Sequence, residues 1–176
     1  LDLSKGENLS KEFAAKNRFR SVPVLEFDDG SSLAESVAIC RYLEGVYPAP
    51  NLFGDDAFEQ GFIEMRNRQI ELELWSQIGT SWVNGPIVAK LGRFTQNPLA
   101  KEISDKNVER YYGRLDDEFA AHVYVAGERY SVADISLLAA VNFATRMVAL
   151  KPSNELKHLW RWHSLVSARP AVQACL

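Results

Sequence analysis

Two adjacent residues at the start of a predicted helix could hold a charged ligand. Glu35 and Ser36 precede a stretch whose apolar residues have helical spacing. The free N–H groups and positive dipole end of a helix start bind a carboxylate, and the Ser36 hydroxyl would add a donor. The Glu35 carboxylate could take an ammonium group. The alternative is structural, with Ser36 capping the helix and Glu35 complementing its dipole.

A second candidate is the dipeptide Val22-Pro23. A cis peptide bond before the proline would turn the N–H and C=O groups of Val22 outward, where a peptide-like ligand could pair with them. Alternatively, Pro23 is an ordinary trans proline of an edge strand. The two residues alone leave both interpretations open.

Other reactive side chains have plainer interpretations. Cys40 falls inside the helix that follows Ser36, where a small buried hydrophobic residue is expected rather than a nucleophile. His158 and His163 are five residues apart and do not share a helical face as metal ligands at i,i+4 would. We expect packing or surface roles for both histidines.

Three aromatic residues, Trp75, Trp82 and Phe94, could wall an apolar pocket. Aromatic residues at helical spacing more often belong to a core. The core interpretation is therefore favoured.

A small α/β unit must position the first two candidates. A short helix is predicted to end near Asn17, and the β-branched and apolar residues at 21–27 predict a strand. The Asp29-Gly30 pair predicts a turn into a second short strand. Helical spacing resumes at Glu35 and must end before Pro48. The sequence thus predicts a β-hairpin followed by a helix.

The rest of the chain is predicted to be helical. Residues 47–54 are dense in proline, glycine and asparagine, which marks a boundary. We therefore divide the chain into a first domain at residues 1–48, a linker at 49–56 and a second domain at 57–176.

The second domain has four predicted helices and one possible short strand at 123–125. Ser131 and Asp134 form a capping box at the start of the third helix, which is apolar on nearly all sides and should lie at the domain's centre. Replacing Asp134 with alanine should lower stability by about 1 kcal/mol or more. The helices are expected at about 57–83, 101–121, from 131 onward, and at about 155–167.

The composition of the chain argues against nucleic acid and membranes as binding partners. A formal net charge of −3 gives no electrostatic reason to prefer nucleic acid or an anionic membrane. No stretch approaches the roughly 20 apolar residues of a membrane span, and the start at Leu1 lacks the layout of a secretory signal. The two cysteines match neither a disulfide framework nor a zinc site, so the cytoplasm is the simplest compartment.

Several motifs occur in a fixed order: VPVL at 22–25, LAES at 33–36, YPAPNLFG at 47–54, the box at 131–134, and the run at 160–170. Together they resemble the cytosolic glutathione transferases, in particular the bacterial-type members. The resemblance implies a partial thioredoxin-like N-terminal domain, which lacks its first strand-helix segment. An all-helical C-terminal domain follows.

The resemblance implies glutathione as co-substrate and no metal. Val22 and Pro23, with a cis bond, would pair with the peptide middle of glutathione, and Glu35 and Ser36 would bind its amino-acid head. The pattern Asn-Pro-x-Gly followed by Gln or Lys, common in the family, is replaced here by NRFRS at 17–21. Arg20 or Lys16 could replace the lost contact to the glycine carboxylate, although surface solvation is the favoured role of either.

The family's catalytic Ser, Tyr or Cys follows the first strand, so by the resemblance it is expected upstream of Leu1, and the catalytic residue is unknown. The favoured function is a glutathione transferase that acts on hydrophobic electrophiles or in thiol-dependent reduction. The alternative is a non-catalytic module that binds ligands or proteins. A helical interaction domain without a glutathione site would be favoured by a trans bond before Pro23. A homodimer built on the helix from Ala57 is also implied.

Overall fold

The computed structural model describes residues 1–92 and 95–175. Contacts divide the chain into two compact units, Leu1–Leu52 and Phe53–Leu176. The division lies inside the segment at 49–56 for which the sequence predicts a linker. Phe94, one of the three aromatic residues considered for a pocket, lies outside the described residues.

The first unit contains the predicted hairpin and helices. Its strands pair in antiparallel fashion, with Val24 opposite Ala34 and Glu26 opposite Ser32. Gly30 has a φ of +83° in the connecting turn, which confirms the turn predicted there. The elements are two 3₁₀ turns, Leu3–Lys5 and Glu7–Leu9, then α1 (Lys11–Lys16), β1 (Val24–Glu26), β2 (Ser32–Ala34) and α2 (Ser36–Val46).

The described part of the second unit is built from helices. The predicted helix at 57–83 is present but contains a π-helical segment, and two short helices were not predicted. The elements are α3 (Ala57–Gln69), the π segment Ile70–Trp75, α4 (Ser76–Val83), α5 (Pro86–Ala89), α6 (Pro98–Ala121), α7 (Val132–Phe143), a second π segment Ala144–Val148, α8 (Lys157–Ser167) and α9 (Pro170–Gln173).

Helix α7 lies at the centre of the second unit, as its apolar sequence predicts. Ala133, Leu137, Ala140 and Val141 are almost fully buried. They pack in one cluster with residues from α4, α6 and α8, including the fully buried Trp162. Burial of this apolar surface is the main stabilising contribution to the unit.

Two predictions for this unit need correction. Residues 123–125 form no strand; Tyr124 makes only an isolated bridge with Gly127. Helix α6 begins at Pro98 rather than near residue 101, because Asn97 Oδ1 caps it by accepting from the Ala100 N–H at 3.1 Å. A proline at the first helical position fits this start, since its missing N–H would have no partner there.

Candidate functional site

The open end of the hairpin brings the two candidate pairs together. Because β1 and β2 are antiparallel, the start of β1 lies beside the end of β2. Val22 lies two residues before the start of β1 at Val24, and Ser36 lies two residues after the end of β2 at Ala34. The register thus brings a main-chain edge and a helix start to the same end of the sheet.

Val22 offers that edge. The Val22-Pro23 bond is cis, as predicted, and Val22 is 45% exposed. Among the described residues, none donates to the Val22 C=O or accepts from its N–H. A peptide-like ligand could therefore pair with both groups.

Glu35 and Ser36 form the first turn of α2. Glu35 occupies the N-cap position with a φ of 71° and a ψ of 116°, and no side chain caps the helix. Such a conformation costs a non-glycine residue about 1–3 kcal/mol and is typical of functional sites. Both side chains are exposed. The Ser36 hydroxyl therefore does not cap α2, which was the alternative role considered for it.

A buried asparagine supports the segment before Val22, a role that the sequence pattern does not predict. Asn17, 6% exposed, donates through Nδ2 to the Ser21 carbonyl at 2.9 Å and to Ser21 Oγ at 3.0 Å. Its Oδ1 accepts from the Phe19 N–H at 3.0 Å. Asn17 was predicted only as the end of α1, which it also is. An asparagine between a helix and a turn could have suggested this role, since its side chain readily bonds nearby backbone.

The two cations considered for the glycine carboxylate differ in their surroundings. Lys16 Nζ lies 2.6 Å from Glu26 Oε2 in an ion pair that ties α1 to β1. Arg20 has a φ of 56°, in the left-handed region that costs an L residue about 1–2 kcal/mol. No described residue bonds or pairs with its side chain.

Cys40 is half-buried in α2, and burial raises the pKa of its thiol. A raised pKa keeps the thiol protonated at neutral pH and makes it a poor nucleophile. This agrees with the packing role predicted from the sequence.

The remaining candidate residues lie in the second unit. The rings of Trp75 and Trp82 each lie 5.5 Å from that of Phe143, and Trp75 packs against the core. Trp82 also lines a cavity of about 160 Å³. His163 is half-buried and bonds Asn142 Oδ1 through Nε2 at 3.0 Å, which is the expected packing role.

The capping box at the start of α7 is present, as predicted. Asp134 is fully buried, and its Oδ2 accepts from the Ser131 N–H at 2.9 Å. Its Oδ1 accepts from the Val125 N–H at 3.0 Å and from Trp162 Nε1 at 2.8 Å. Burial raises the pKa of Asp134, while these hydrogen bonds act in the opposite direction.

Two further properties concern the described residues alone. None of the helices in this part of the chain combines the length and apolar character that crossing a bilayer requires. Within residues 1–92 and 95–175, no three His, Cys, Asp or Glu side chains are grouped so as to hold a metal ion.

Comparisons with protein families match both units. Residues 2–51 match the family described as "Glutathione S-transferase, N-terminal domain", and residues 83–170 match "Glutathione S-transferase, C-terminal domain". The order of the two matches follows the order of the two units.

Individual proteins similar to this chain agree with the two family matches. Glutathione S-transferase 2 of Saccharomyces cerevisiae is 34% identical over all of this chain and 76% of the relative. A rat maleylacetoacetate isomerase is 27% identical over 88% of this chain and 68% of its own length.

Two solved structures are also similar. Gtt2 of Saccharomyces cerevisiae has a TM-score of 0.91 at 33% identity, covering all of this chain and 85% of the other. A glutathione S-transferase of class Gtt2 from Vibrio parahaemolyticus has a TM-score of 0.84 at 30% identity, covering 99% and 81%. The fold is therefore a small thioredoxin-like part followed by a helical domain, and the chain belongs to the glutathione S-transferase family.

Proposed function

We propose that this protein is a glutathione transferase that binds glutathione at the open end of the hairpin. The observation that carries the proposal is the antiparallel register, which brings the unpaired backbone of Val22 and the exposed start of α2 to the same end of the hairpin. The N–H and C=O of Val22, beside Pro23, pair with the cysteinyl residue of the tripeptide. The α2 N-terminus and the Ser36 hydroxyl bind the γ-glutamyl carboxylate, and Glu35 binds the ammonium.

The reaction follows from the chemistry of the thiol. A thiol with a pKa near 8.5 reacts as its thiolate, so the proton leaves to solvent or a base. With an aryl chloride, the sulfur forms a C–S bond to the ring carbon, the C–Cl bond breaks, and chloride departs. Of the groups described here, those at the hairpin bind and orient glutathione. Cys40 does not supply the thiolate-stabilising group, because it lies within α2 with a raised pKa.

The co-substrate is proposed to be a hydrophobic electrophile. Support comes from the cavity beside Trp82, whose apolar walls include Ile87, Met147 and Val148. Apolar walls of this kind favour an uncharged aromatic or aliphatic molecule over a polar one. The proposal also includes reactions in which the glutathione thiol reduces the co-substrate instead of being conjugated to it.

The protein is also proposed to act as a homodimer. Helix α3 and its π-helical continuation carry an exposed apolar stripe, defined here as Phe58, Phe62, Met65 and Leu72. Phe58 is 81% exposed and stacks on Phe62 with ring centroids 6.1 Å apart. A second copy would remove this stripe from water, which an isolated chain does not do.

A cytoplasmic location is proposed as well. Both cysteines, Cys40 and Cys175, are free thiols, which suits a reducing compartment.

Turnover of an electrophile tests the proposed activity. The full natural protein is mixed with glutathione and 1-chloro-2,4-dinitrobenzene, and thioether formation is followed by absorbance. We expect acceleration over the uncatalysed reaction, and a kcat/KM at least about tenfold lower for Ser36→Ala. Glutathione binding without acceleration of this or other electrophiles would instead favour a non-catalytic module.

A further inference from the structure

The cavity beside Trp82 is lined by two cations as well as by apolar side chains. Lys101 and Arg146 both line it, and no Asp or Glu is among its described lining residues. We propose that this cavity binds a small aromatic acid, with the ring against the apolar walls and the acidic group on Arg146 and Lys101. The inference rests on the proposed function, because it names the kind of electrophile that the co-substrate cavity accepts.

Arg146 supplies the available positive charge. It is exposed, and within residues 1–92 and 95–175 no group forms a hydrogen bond or an ion pair with it. Its place in the last turn of the second π segment favours a cation through the helix dipole, without any ligand. That effect does not require the residue to line a cavity, as Arg146 does. A guanidinium at this place can donate two parallel N–H groups to a carboxylate.

Lys101 adds a donor that is held in place. Its Nζ lies 2.6 Å from Asp105 Oδ2 and 3.2 Å from the hydroxyl oxygen of Ser81, which is fully buried and also lines the cavity. An ammonium group has three N–H donors, so these two partners leave one donor for a ligand. Because Asp105 offsets the charge of Lys101, the net positive charge at the cavity comes from Arg146.

The size and the walls of the cavity limit the rest of the ligand. Its volume is about 160 Å³, and Trp82, Ile87, Met147 and Val148 contribute apolar side chains. An apolar cavity of about 150 Å³ can hold a benzene ring. The cavity therefore favours a single ring over an extended polycyclic molecule.

The acidic group follows from what a ring in the cavity would cover. The apolar walls alone favour an uncharged ring. Such a ring would remove Arg146 and Lys101 from part of their water without giving their N–H groups an acceptor, which is unfavourable. An acidic group on the ring supplies that acceptor to both residues.

The test compares 4-chloro-3-nitrobenzoate with 4-chloro-3-nitrobenzamide, which have the same ring and nearly the same shape but differ in charge. Dissociation constants are measured by calorimetry without glutathione, on the full natural protein and on Arg146→Gln. We expect wild type to bind the acid about fivefold more tightly than the amide, and Arg146→Gln to lose this preference. Lys157→Gln, which removes an exposed positive charge on α8, is the control and should keep it.

A double variant, Lys101→Gln/Asp105→Asn, tests the second donor without changing the net charge. The two amides keep polar partners beside Ser81 but remove the ammonium group. The preference for the acid should fall to about twofold. If the double variant keeps the full preference, Lys101 is not a contact of the acid.

The outcomes separate this inference from the proposed function. If wild type binds the amide as tightly as the acid, or Arg146→Gln keeps the preference, the inference is wrong and a site for uncharged electrophiles stands. Wild type that prefers the acid should also accelerate its reaction with glutathione, in which a C–S bond forms, the C–Cl bond breaks and chloride departs. Preference for the acid without this acceleration would contradict the proposed function and leave an acid-binding cavity. Binding of neither compound by well-folded wild type would contradict the inference.

Discussion

At the scale of single residues, Asp134 has a larger structural role than its place in a capping box indicates. Its two carboxylate oxygens accept from the N–H groups of Ser131 and Val125 and from Trp162 Nε1. The sequence could predict the bond to Ser131, which is local. It could not predict the other two, because Trp162 is 28 residues away and Val125 belongs to a segment without regular structure.

Replacing Asp134 with alanine should therefore reduce the free energy of unfolding by more than the loss of a helix cap alone would. Three buried donors would be left without an acceptor, and each costs about 1–3 kcal/mol. We expect the free energy of unfolding to fall by at least about 3 kcal/mol in urea denaturation. Asp117→Ala, on the exposed face of α6, is the control and should change little. Unchanged stability together with lost glutathione binding would contradict this structural role.

His163 should make stability depend on pH. Burial lowers its pKa below the ordinary value of 6.5, so the unfolded chain takes up a proton before the folded chain does. Its contribution to stability is full above pH 6.5 and is lost as the pH falls from there through the lowered pKa.

Replacing His163 with glutamine should remove this part of the pH dependence. Unfolding free energies of wild type and His163→Gln are compared at pH 7.5 and 5.5. The wild type should lose more stability between the two than the variant. The exposed His158→Gln is the control and should follow the wild type. Equal losses in wild type and His163→Gln would exclude the effect.

At the scale of elements, the segment between α1 and β1 positions the edge at Val22. Asn17 holds it with three side-chain hydrogen bonds. Replacing Asn17 with alanine leaves the Phe19 N–H and the Ser21 carbonyl without this partner. We expect a loss of about 1–3 kcal/mol in unfolding free energy.

The same variant should also bind glutathione more weakly, because the backbone of Val22 is no longer fixed. Calorimetry on protein that remains folded measures this effect. Asn154→Ala, an exposed asparagine of the second unit, is the control for both measurements. If Asn17→Ala lost stability but kept its full affinity, the segment would not control the position of Val22.

The elements also show how far the sequence could predict the fold. The start of α7 at Ser131, the turn at Gly30 and the long helix from Ala57 were predictable because capping, left-handed glycine and apolar spacing are local signals. The π segment at Ile70–Trp75 was not predicted, since its shifted hydrogen bonds leave the apolar spacing almost unchanged. The strand expected at 123–125 is absent because no other strand lies beside it to pair with in the described part of the chain.

The candidate site divides in the same way. Val22, Pro23, Glu35 and Ser36 were found from local chemistry and family resemblance, and their binding role stays a prediction. That the two pairs lie at one end follows from the predicted hairpin, whose antiparallel pairing the structure confirms. The left-handed conformation of Arg20 could not be predicted, because residues other than glycine rarely adopt it.

At the scale of the whole molecule, the apolar stripe on α3 predicts assembly. The double variant Phe58→Asp/Phe62→Asp would place two charges where a second copy is expected to pack. Sedimentation equilibrium should give a dimer for wild type and a monomer for the variant. Leu165→Asp, which changes a 42% exposed leucine on α8, is the control and should remain dimeric. A double variant that stays dimeric would place the interface elsewhere.

The central claim is that the whole protein binds glutathione at the end of the hairpin and the start of α2. Calorimetric titration of glutathione into the full natural protein tests it, with Glu35→Ala and Ser36→Ala as variants and Glu12→Ala, an exposed glutamate of α1, as control. We predict binding by wild type and control, weakened about tenfold or more by each of the two variants. Absence of binding by well-folded wild type, or equal affinity in Glu35→Ala and Ser36→Ala, would contradict the proposed site.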